Sequence, residues 1–331
     1  MAVIMSQGGN VSACTTFAVF RGNDALVGNV LEWFNGSGWV ITNKRNVKKT
    51  SLALQPNDKP ITWTTSYGSL TFNQHGREFP LGGINEKGLV VEAMVGGDQD
   101  APLDNRPTVN ELQWVQYQLD NYGTVSEVVS HAKDLRVSRI AVRLHYVICD
   151  RNKECAVVEP FFDKETLVYS GADLAVNALT NSSYLSSAAE LKKYVGFGGN
   201  ETIPSGNASL ERFVRAAWEI TQYEKPIPLE LGYHFAFEIL KNSIWQPHGD
   251  MIPQWNIVYD LNRMLVRFLT YEGPGIKGID FKSFDYSCTQ PVQTFHMNQN
   301  LEGQNITSQF DEYSKSTNQS AVKLGMTGLE R

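Results

Sequence analysis

Two antiparallel sheets packed face to face, with helices outside them, are the fold class this sequence predicts. Three observations carry it. From Thr15 to about Phe72, short β-branched and aromatic runs follow one another too closely for helical crossovers, so they pair antiparallel. The apolar period then turns helical from Thr108 to Leu135, returns to strands, turns helical again from Tyr184 to Ile239, and ends in strands. The strict strand-helix alternation of a parallel sheet does not occur.

In order, the expected strands are Thr15 to Phe20, Leu26 to Val30, Gly38 to Thr42 and Tyr67 to Phe72, punctuated by Gly-Asn, Asn-Gly and Pro-Asn-Asp turn signals. Gly88 to Met94 follows the turn Asn85-Glu86-Lys87-Gly88, and its continuous apolar run marks a strand buried on both faces. After Pro107-Thr108, Leu112, Val115, Gln116 and Leu119 recur at helical spacing, and Trp114 and Tyr117 beside them make this a core-facing helix. A second helix runs from Thr124 to Leu135, because Thr124-Val125-Ser126-Glu127 has the form of a capping box. Strands return at His145 to Cys149, Cys155 to Glu159 and Thr166 to Tyr169. Helices follow at Tyr184 to Tyr194, Leu210 to Ile220 and Leu229 to Ile239, and Trp255 to Tyr259 with Met264 to Thr270 makes a hairpin. Gly196-Phe197-Gly198-Gly199-Asn200 lacks the Gly-Lys-Ser/Thr that a phosphate cradle needs and reads as a connection. The polar tail after about Asn298 is expected to pack loosely.

A chain of 331 residues is long enough to bury a substantial core, and no linker divides it, so 14–331 is expected to form a single domain behind a leader, 1–13. A net charge of −6 argues against nucleic acid as a partner, since phosphate binding needs a basic face. No apolar run approaches the ~20 residues of a membrane-spanning helix, so no membrane partner is expected either. The leader has no Lys or Arg and only a short apolar run, unlike a secretory signal. That points to a cytoplasmic protein, although Ser12-Ala13 would suit the processing site of an exported precursor.

Four cysteines are too few for a disulfide scaffold at this length. Cys149 and Cys155 flank a turn and face each other across a hairpin; the reading adopted is two reduced thiols in neighbouring strands. The six histidines make no metal-ligand spacing with a Cys or with one another, so neither a metal nor any other cofactor is called for.

The stretch Ala13-Cys14-Thr15-Thr16-Phe17 is the candidate centre. By itself it reads as a buried strand. Were the peptide bond before Cys14 cut, one residue would hold both a nucleophilic thiol and, in its new α-amine, a base of pKa about 7.7–8.0. Taken together, Cys14-Thr15-Thr16-Phe17, Gly28-Asn29-Val30-Leu31-Glu32-Trp33, Gly82-Gly83-Ile84-Asn85-Glu86-Lys87-Gly88-Leu89, Leu179-Thr180-Asn181-Ser182 and Arg212-Phe213-Val214-Arg215 resemble the choloylglycine hydrolase family. Its members, penicillin V acylases and bile salt hydrolases among them, are linear-amide C–N hydrolases with an N-terminal Cys nucleophile.

The resemblance implies the four-layer αββα fold of N-terminal-nucleophile hydrolases and assigns roles position by position. Cys14 is the nucleophile and its freed amine the proton acceptor. Glu32 stands where the family has an Asp that binds the amine, Asn181 looks like an oxyanion donor, and Arg212 matches the cation near the thiol. Singly, each has an ordinary reading: Glu32 a surface carboxylate, Asn181 a cap for the helix that follows, Arg212 a solvated helix residue. Two positions depart from the pattern. Asn29 replaces an Arg usually close to the nucleophile, and Val95 replaces an Asn or Tyr, so that only its backbone N–H could serve the oxyanion.

The expected activity is therefore hydrolysis of an N-acyl amide, a small-molecule substrate, through a Cys14 thioester, in the manner of a penicillin V acylase or a conjugated bile salt hydrolase. Loss of one oxyanion donor costs ~10²–10³ in rate, so the alternatives are a weak or inactive relative acting as a binding scaffold, or an acyltransferase using the same thioester. Tetrameric relatives carry a long insertion between the Thr-Asn-Ser and Arg-Phe motifs. Here only 30 residues (212 − 181 − 1) separate Asn181 from Arg212, so a homo-oligomer, if formed, is expected to be smaller than a tetramer.

Overall fold

The run Thr15-Thr16-Phe17-Ala18-Val19-Phe20 forms a strand, Thr15–Arg21, that turns at Gly22 and returns as the longer strand Asp24–Trp33. Gly22 takes a φ of 54°, the left-handed conformation that this two-residue hairpin requires of its turn. The structure, a computed structural model, describes residues 14–163, 165–223, 229–243, 252–301 and 305–325. The expected leader, 1–13, lies outside them.

Around that hairpin a six-stranded sheet assembles in the order Ala178–Leu179, Thr15–Arg21, Asp24–Trp33, Ile252–Asp260, Leu265–Thr270, Lys277–Asp280. A nine-stranded sheet faces it, in the order Leu167–Ser170, Cys155–Glu159, Leu144–Cys149, Val90–Val95, Pro80–Asn85, Ser69–Asn73, Trp39–Asn43, Gln293–His296, Asp311–Glu312. Both sheets are antiparallel throughout. Helices Glu111–Asn121 and Val125–His131 cover the outer face of the larger sheet, and Ser209–Gln222 and Leu229–Ser243 that of the smaller, with Tyr184–Leu191 packed on Ser209–Gln222. This is the four-layer αββα sandwich.

The central strand Val90–Val95 shows why its sequence is continuously apolar. Val90 and Met94 face the space between the sheets, while Val91 and Ala93 face the helix Glu111–Asn121, so both surfaces are buried. Val125–His131 begins with the expected capping box, Thr124 and Glu127 bonding each other's backbone. It ends at His131, before the expected Leu135, because the chain turns there into a short strand, Arg136–Ser138, parallel to Thr108–Asn110.

Two expectations are corrected. Cys149 and Cys155 are joined in a disulfide and are not free thiols. They stand directly opposite each other in the antiparallel ladder, and because Asp150 N–H bonds Glu154 O in the adjacent pair, theirs is a non-hydrogen-bonded pair, in which the Cα atoms come closest. The described part of the tail after Asn298 is not loose either. Asp311–Glu312 pairs with the strand Gln293–His296 at the edge of the larger sheet, and the helix Lys315–Gly325 lays Ala321 against Trp39 and Ile41.

Between the sheets lies the acidic side chain of Glu92, which accepts a hydrogen bond from the Tyr259 hydroxyl of the opposite sheet. Gly82, its partner on the neighbouring strand, leaves the space for it: a Cβ there would lie 2.2 Å from the carboxylate. Burial pushes the Glu92 carboxyl up to about 8 from an ordinary 4.5. Between those values the folded protein keeps a proton that the unfolded chain has released, so this group's contribution to stability declines as pH rises through that window, by at most about 5 kcal/mol. Glu92→Gln retains the acceptor and loses the titration. Urea unfolding at pH 5 and pH 8 should show the variant gaining stability over the parent at the higher pH; an equal difference at both would mean that the carboxyl ionises in the core without penalty.

Candidate active site

Cys14 immediately precedes the first strand, whose register begins with Thr15 opposite Val30, and lines a cavity together with Leu31. Alternation along the strands divides its surroundings. Cys14, Leu31, Thr16 and Asn29 face the other sheet; Thr15, Val30 and Glu32 face the helices.

On the helix side the organising group is Arg212, one turn into Ser209–Gln222 and only 1% exposed. Its Nη1 donates to Cys14 O at 2.5 Å and Thr15 Oγ1 at 3.0 Å, its Nη2 to Asn181 Oδ1 at 2.7 Å, and its Nε to Asn207 O at 3.1 Å. Burial pushes the guanidinium down to about 10, against the opposing pull of Cys14 and Glu32. Glu32 is fully buried. Neither the surface reading of Glu32 nor the solvated reading of Arg212 holds.

Asn181 is not a helix cap. Ser183 performs that function for Tyr184–Leu191, its Oγ accepting the Ser186 N–H, which leaves Asn181 to Arg212 and to the larger sheet. The loop that carries it is fixed on Ser209: Ser182 N–H donates to Ser209 Oγ at 2.7 Å, and Thr180 Oγ1 donates to Ser209 O at 2.9 Å. Asn181 Nδ2 donates to Val95 O at 2.8 Å.

Val95 is oriented by the ladder. Gly96 N–H bonds Arg143 O, and in the same register Val95 lies opposite Leu144. Successive residues turn their N–H and C=O to opposite edges, so Val95 directs both away from that strand, toward Asn181. On that edge the pairing with Pro80–Asn85 ends at Gly82 and Glu92, short of Val95. Its N–H therefore points past the end of the neighbouring strand.

Asn29, which stands where the family pattern has an Arg, donates from Nδ2 to Thr16 Oγ1 at 2.9 Å, and that hydroxyl donates to Met94 Sδ at 3.3 Å. Two motif residues prove to be structural. Gly28 lies under the Phe17 ring, 2.3 Å from where its Cβ would be. Asn85 binds its own turn, accepting from Lys87 and Leu89 N–H, and donates to Leu119 O and Tyr122 O of the helix above.

Cys14, Leu31, Met94 and Val95 open onto a cavity of about 330 Å³. Trp33, Leu52, Phe79, Leu81, Ile140, Val142 and Leu144 make most of its wall, with Gln74, His75, Asn110 and Glu111 as its polar members. Sequence reasoning missed Glu111 and also a buried pair beside Asn181. His145 Nδ1 lies 3.1 Å from Glu159 Oε1, the oxygen that accepts the Tyr184 N–H at 2.8 Å, and its ring packs on Gly96, next to Val95. Their only sequence signal is that both fall at inward-facing strand positions. Among the described residues, no cluster of three or more His, Cys, Asp or Glu is placed to hold a metal. No helix among them is long and apolar enough to cross a membrane.

The four-layer fold is that of the N-terminal-nucleophile hydrolases. The profile of the linear amide C–N hydrolases, choloylglycine hydrolase family, matches residues 14–292, and the chain belongs to that family. A penicillin V acylase of Pectobacterium atrosepticum is 24% identical over 330 residues, 86% of this chain and 85% of its own. The structure of a penicillin V acylase from Agrobacterium tumefaciens superposes with a TM-score of 0.78 at 23% identity, covering 91% of this chain and 98% of that one. A conjugated bile acid hydrolase variant from Clostridium perfringens gives 0.70 at 20% identity, covering 88% and 99%.

The contacts of Arg212 lead to a direct expectation. Arg212→Lys keeps a charge but presents one nitrogen in place of three, and should lower unfolding stability by about 2–3 kcal/mol. Arg212→Gln should also slow carboxymethylation of Cys14 at pH 7 about tenfold, the effect of one unit in thiol pKa. Rates read by mass on the Cys14 peptide that match the parent would show that the cation does not act on the thiol.

Proposed function

We propose that this protein hydrolyses a linear amide joining an apolar acyl group to an amine, through a thioester on Cys14. Sγ attacks the amide carbonyl carbon and the α-amine of Cys14 takes the thiol proton and hands it to the departing nitrogen. Water, deprotonated by the same amine, then cleaves the thioester and releases a carboxylic acid. Asn181 Nδ2 and the Val95 N–H are the oxyanion donors, Glu32 supports the protonated amine, and Arg212 the thiolate.

The observation that carries this reading is that Cys14 lines an apolar cavity at the point where Arg212, Asn181 and Val95 converge. The cavity is large enough for an aryl or extended acyl group, and its few polar groups suit a ligand whose reacting end alone is polar. Among the family's activities we favour a penicillin V acylase-like one, following the name of the curated relative. The departures at Asn29 and Val95 keep a second reading open, a scaffold that binds acyl compounds without turnover. The disulfide is the kind of bond that persists in oxidising compartments, and so favours export over the cytoplasmic expectation.

A panel of N-acyl amides, penicillin V and conjugated bile salts included, assayed for released amine, separates these readings. The parent should release amine from at least one of them, and Cys14→Ser should lower that rate by ~10³ or more. Intact mass showing a lasting acyl adduct without amine release, or no adduct with any member, would favour the scaffold.

A further inference from the structure

The mouth of the cavity is framed by two segments that are apolar yet exposed, around Leu52 (42%) and Ile140 (37%). Both hang from the first turn of one helix, Glu111–Asn121. The Glu111 carboxylate accepts three successive N–H groups of one lip: Ile140 at 2.8 Å on Oε2, then Ala141 at 2.7 Å and Val142 at 3.2 Å on Oε1. Gln113 Oε1 accepts the N–H of Leu52, in the other lip, at 2.6 Å, and is itself steadied by Asn110 Nδ2 at 2.7 Å.

The turn that holds both lips is rigid for identifiable reasons. Asn110 caps it, accepting the N–H groups of Leu112 and Gln113. A carboxylate in a first helical turn is favoured by the helix dipole, and bonds from N–H groups to a charged acceptor are strong ones. Trp114 stacks on Tyr146 of the sheet, and the Tyr146 hydroxyl donates to Glu111 O at 2.7 Å, tying the turn to the strand Leu144–Cys149. At the outer edge of the Ile140 lip, Arg139 and Arg143 both bind Asp100, at 2.6 and 3.0 Å. Side chains of one anchored helix thus hold both lips.

We propose that Glu111 and Gln113 are specificity-determining residues: they fix the width of the cavity mouth and so select acyl groups by thickness. This rests on the reading of the cavity as the acyl site. Glu111→Gln puts an amide NH2 among N–H donors, which releases at least one of the three bonds, and Gln113→Ala frees the Leu52 lip alone. The test is kcat and KM over a matched series of N-acyl amides with straight-chain, aryl and fused-ring acyl groups, alongside thermal unfolding. In Glu111→Gln the spread of kcat/KM between the preferred and the poorest acyl group should shrink about tenfold, on the order of one charge-assisted hydrogen bond, and the loss should fall on KM more than on kcat. A folded variant that keeps the parent's spread, or loses kcat uniformly across the series, overturns the proposal. Should Glu111→Gln fail to fold, Gln113→Ala, which leaves the Glu111 bonds in place, decides by the same criterion. Calorimetric Kd values for the corresponding free acids separate this proposal from the hydrolytic reading. If the parent hydrolyses none of the amides, a narrowed spread of Kd in the variants supports the mouth as a selector, while an unchanged spread, or acids that do not bind the parent, refutes it.

Discussion

The candidate site depends on the burial of one guanidinium. A cation removed from water is costly, by several kcal/mol even after relaxation, unless its donors are met. Arg212 meets this demand by drawing acceptors from separate parts of the chain: the backbone of Cys14, the Thr15 hydroxyl, the Asn181 amide and the carbonyl of Asn207. The fork of the guanidinium reaches several of these at once, which a single ammonium would not do. The start of the first strand is thereby fastened to a helix of the outer layer, and the side chain of Asn181 is turned toward Val95. Glu32, on the same face of the sheet, lies near enough to support the cation. Positive charge beside Cys14 and attachment of the strand that follows it are the work of the same residue.

The two faces of this sheet differ at Cys14. Its carbonyl meets Arg212 beneath the helices, while its side chain lines an apolar cavity with Leu31 and Met94. An acyl group in that cavity would bring its carbonyl to the boundary, where the polar groups are. Asn29 fits the same division. It lies on the inner face, where an unpaired cation would be stranded between two apolar sheets, and instead its amide is satisfied by the Thr16 hydroxyl, which is satisfied in turn by a thioether. The cation that the family pattern carries at this position has no counterpart there in this chain.

The strand-rich beginning, the helical middle and the terminal hairpin were legible because each is long enough for its period to show. Cys14, Glu32, Asn181 and Arg212 were legible only as an ordered set, since each alone has an ordinary reading. What the sequence concealed is pairing across distance. The Cys149–Cys155 bond depends on which register the hairpin adopts and on which type of pair the cysteines fall. The tail lacks a period because its strand, Asp311–Glu312, is short and edge-placed and its helix buries little besides Ala321 and Gly325, so order comes from the sheet it joins. Glu111 carries no signal in the sequence beyond standing beside the periodic residues of a helix, and His145 is one of several scattered histidines. Their partners, a loop some thirty residues on and a carboxylate on the next strand, become visible only in the folded chain.

The central claim is that Cys14 acts as an N-terminal residue. While Ala13 remains attached, the nitrogen of Cys14 is an amide and cannot take up a proton at neutral pH, whatever Arg212 and Glu32 contribute. The thiol can attack the preceding carbonyl, and an N-to-S shift followed by hydrolysis would free the amine, so one nucleophile would serve both maturation and turnover. The most direct test is the N-terminal mass of purified protein measured together with its amide hydrolysis. Activity should rise in proportion to the fraction of chains that begin at Cys14. Full turnover from chains that still begin at Met1 would contradict the account.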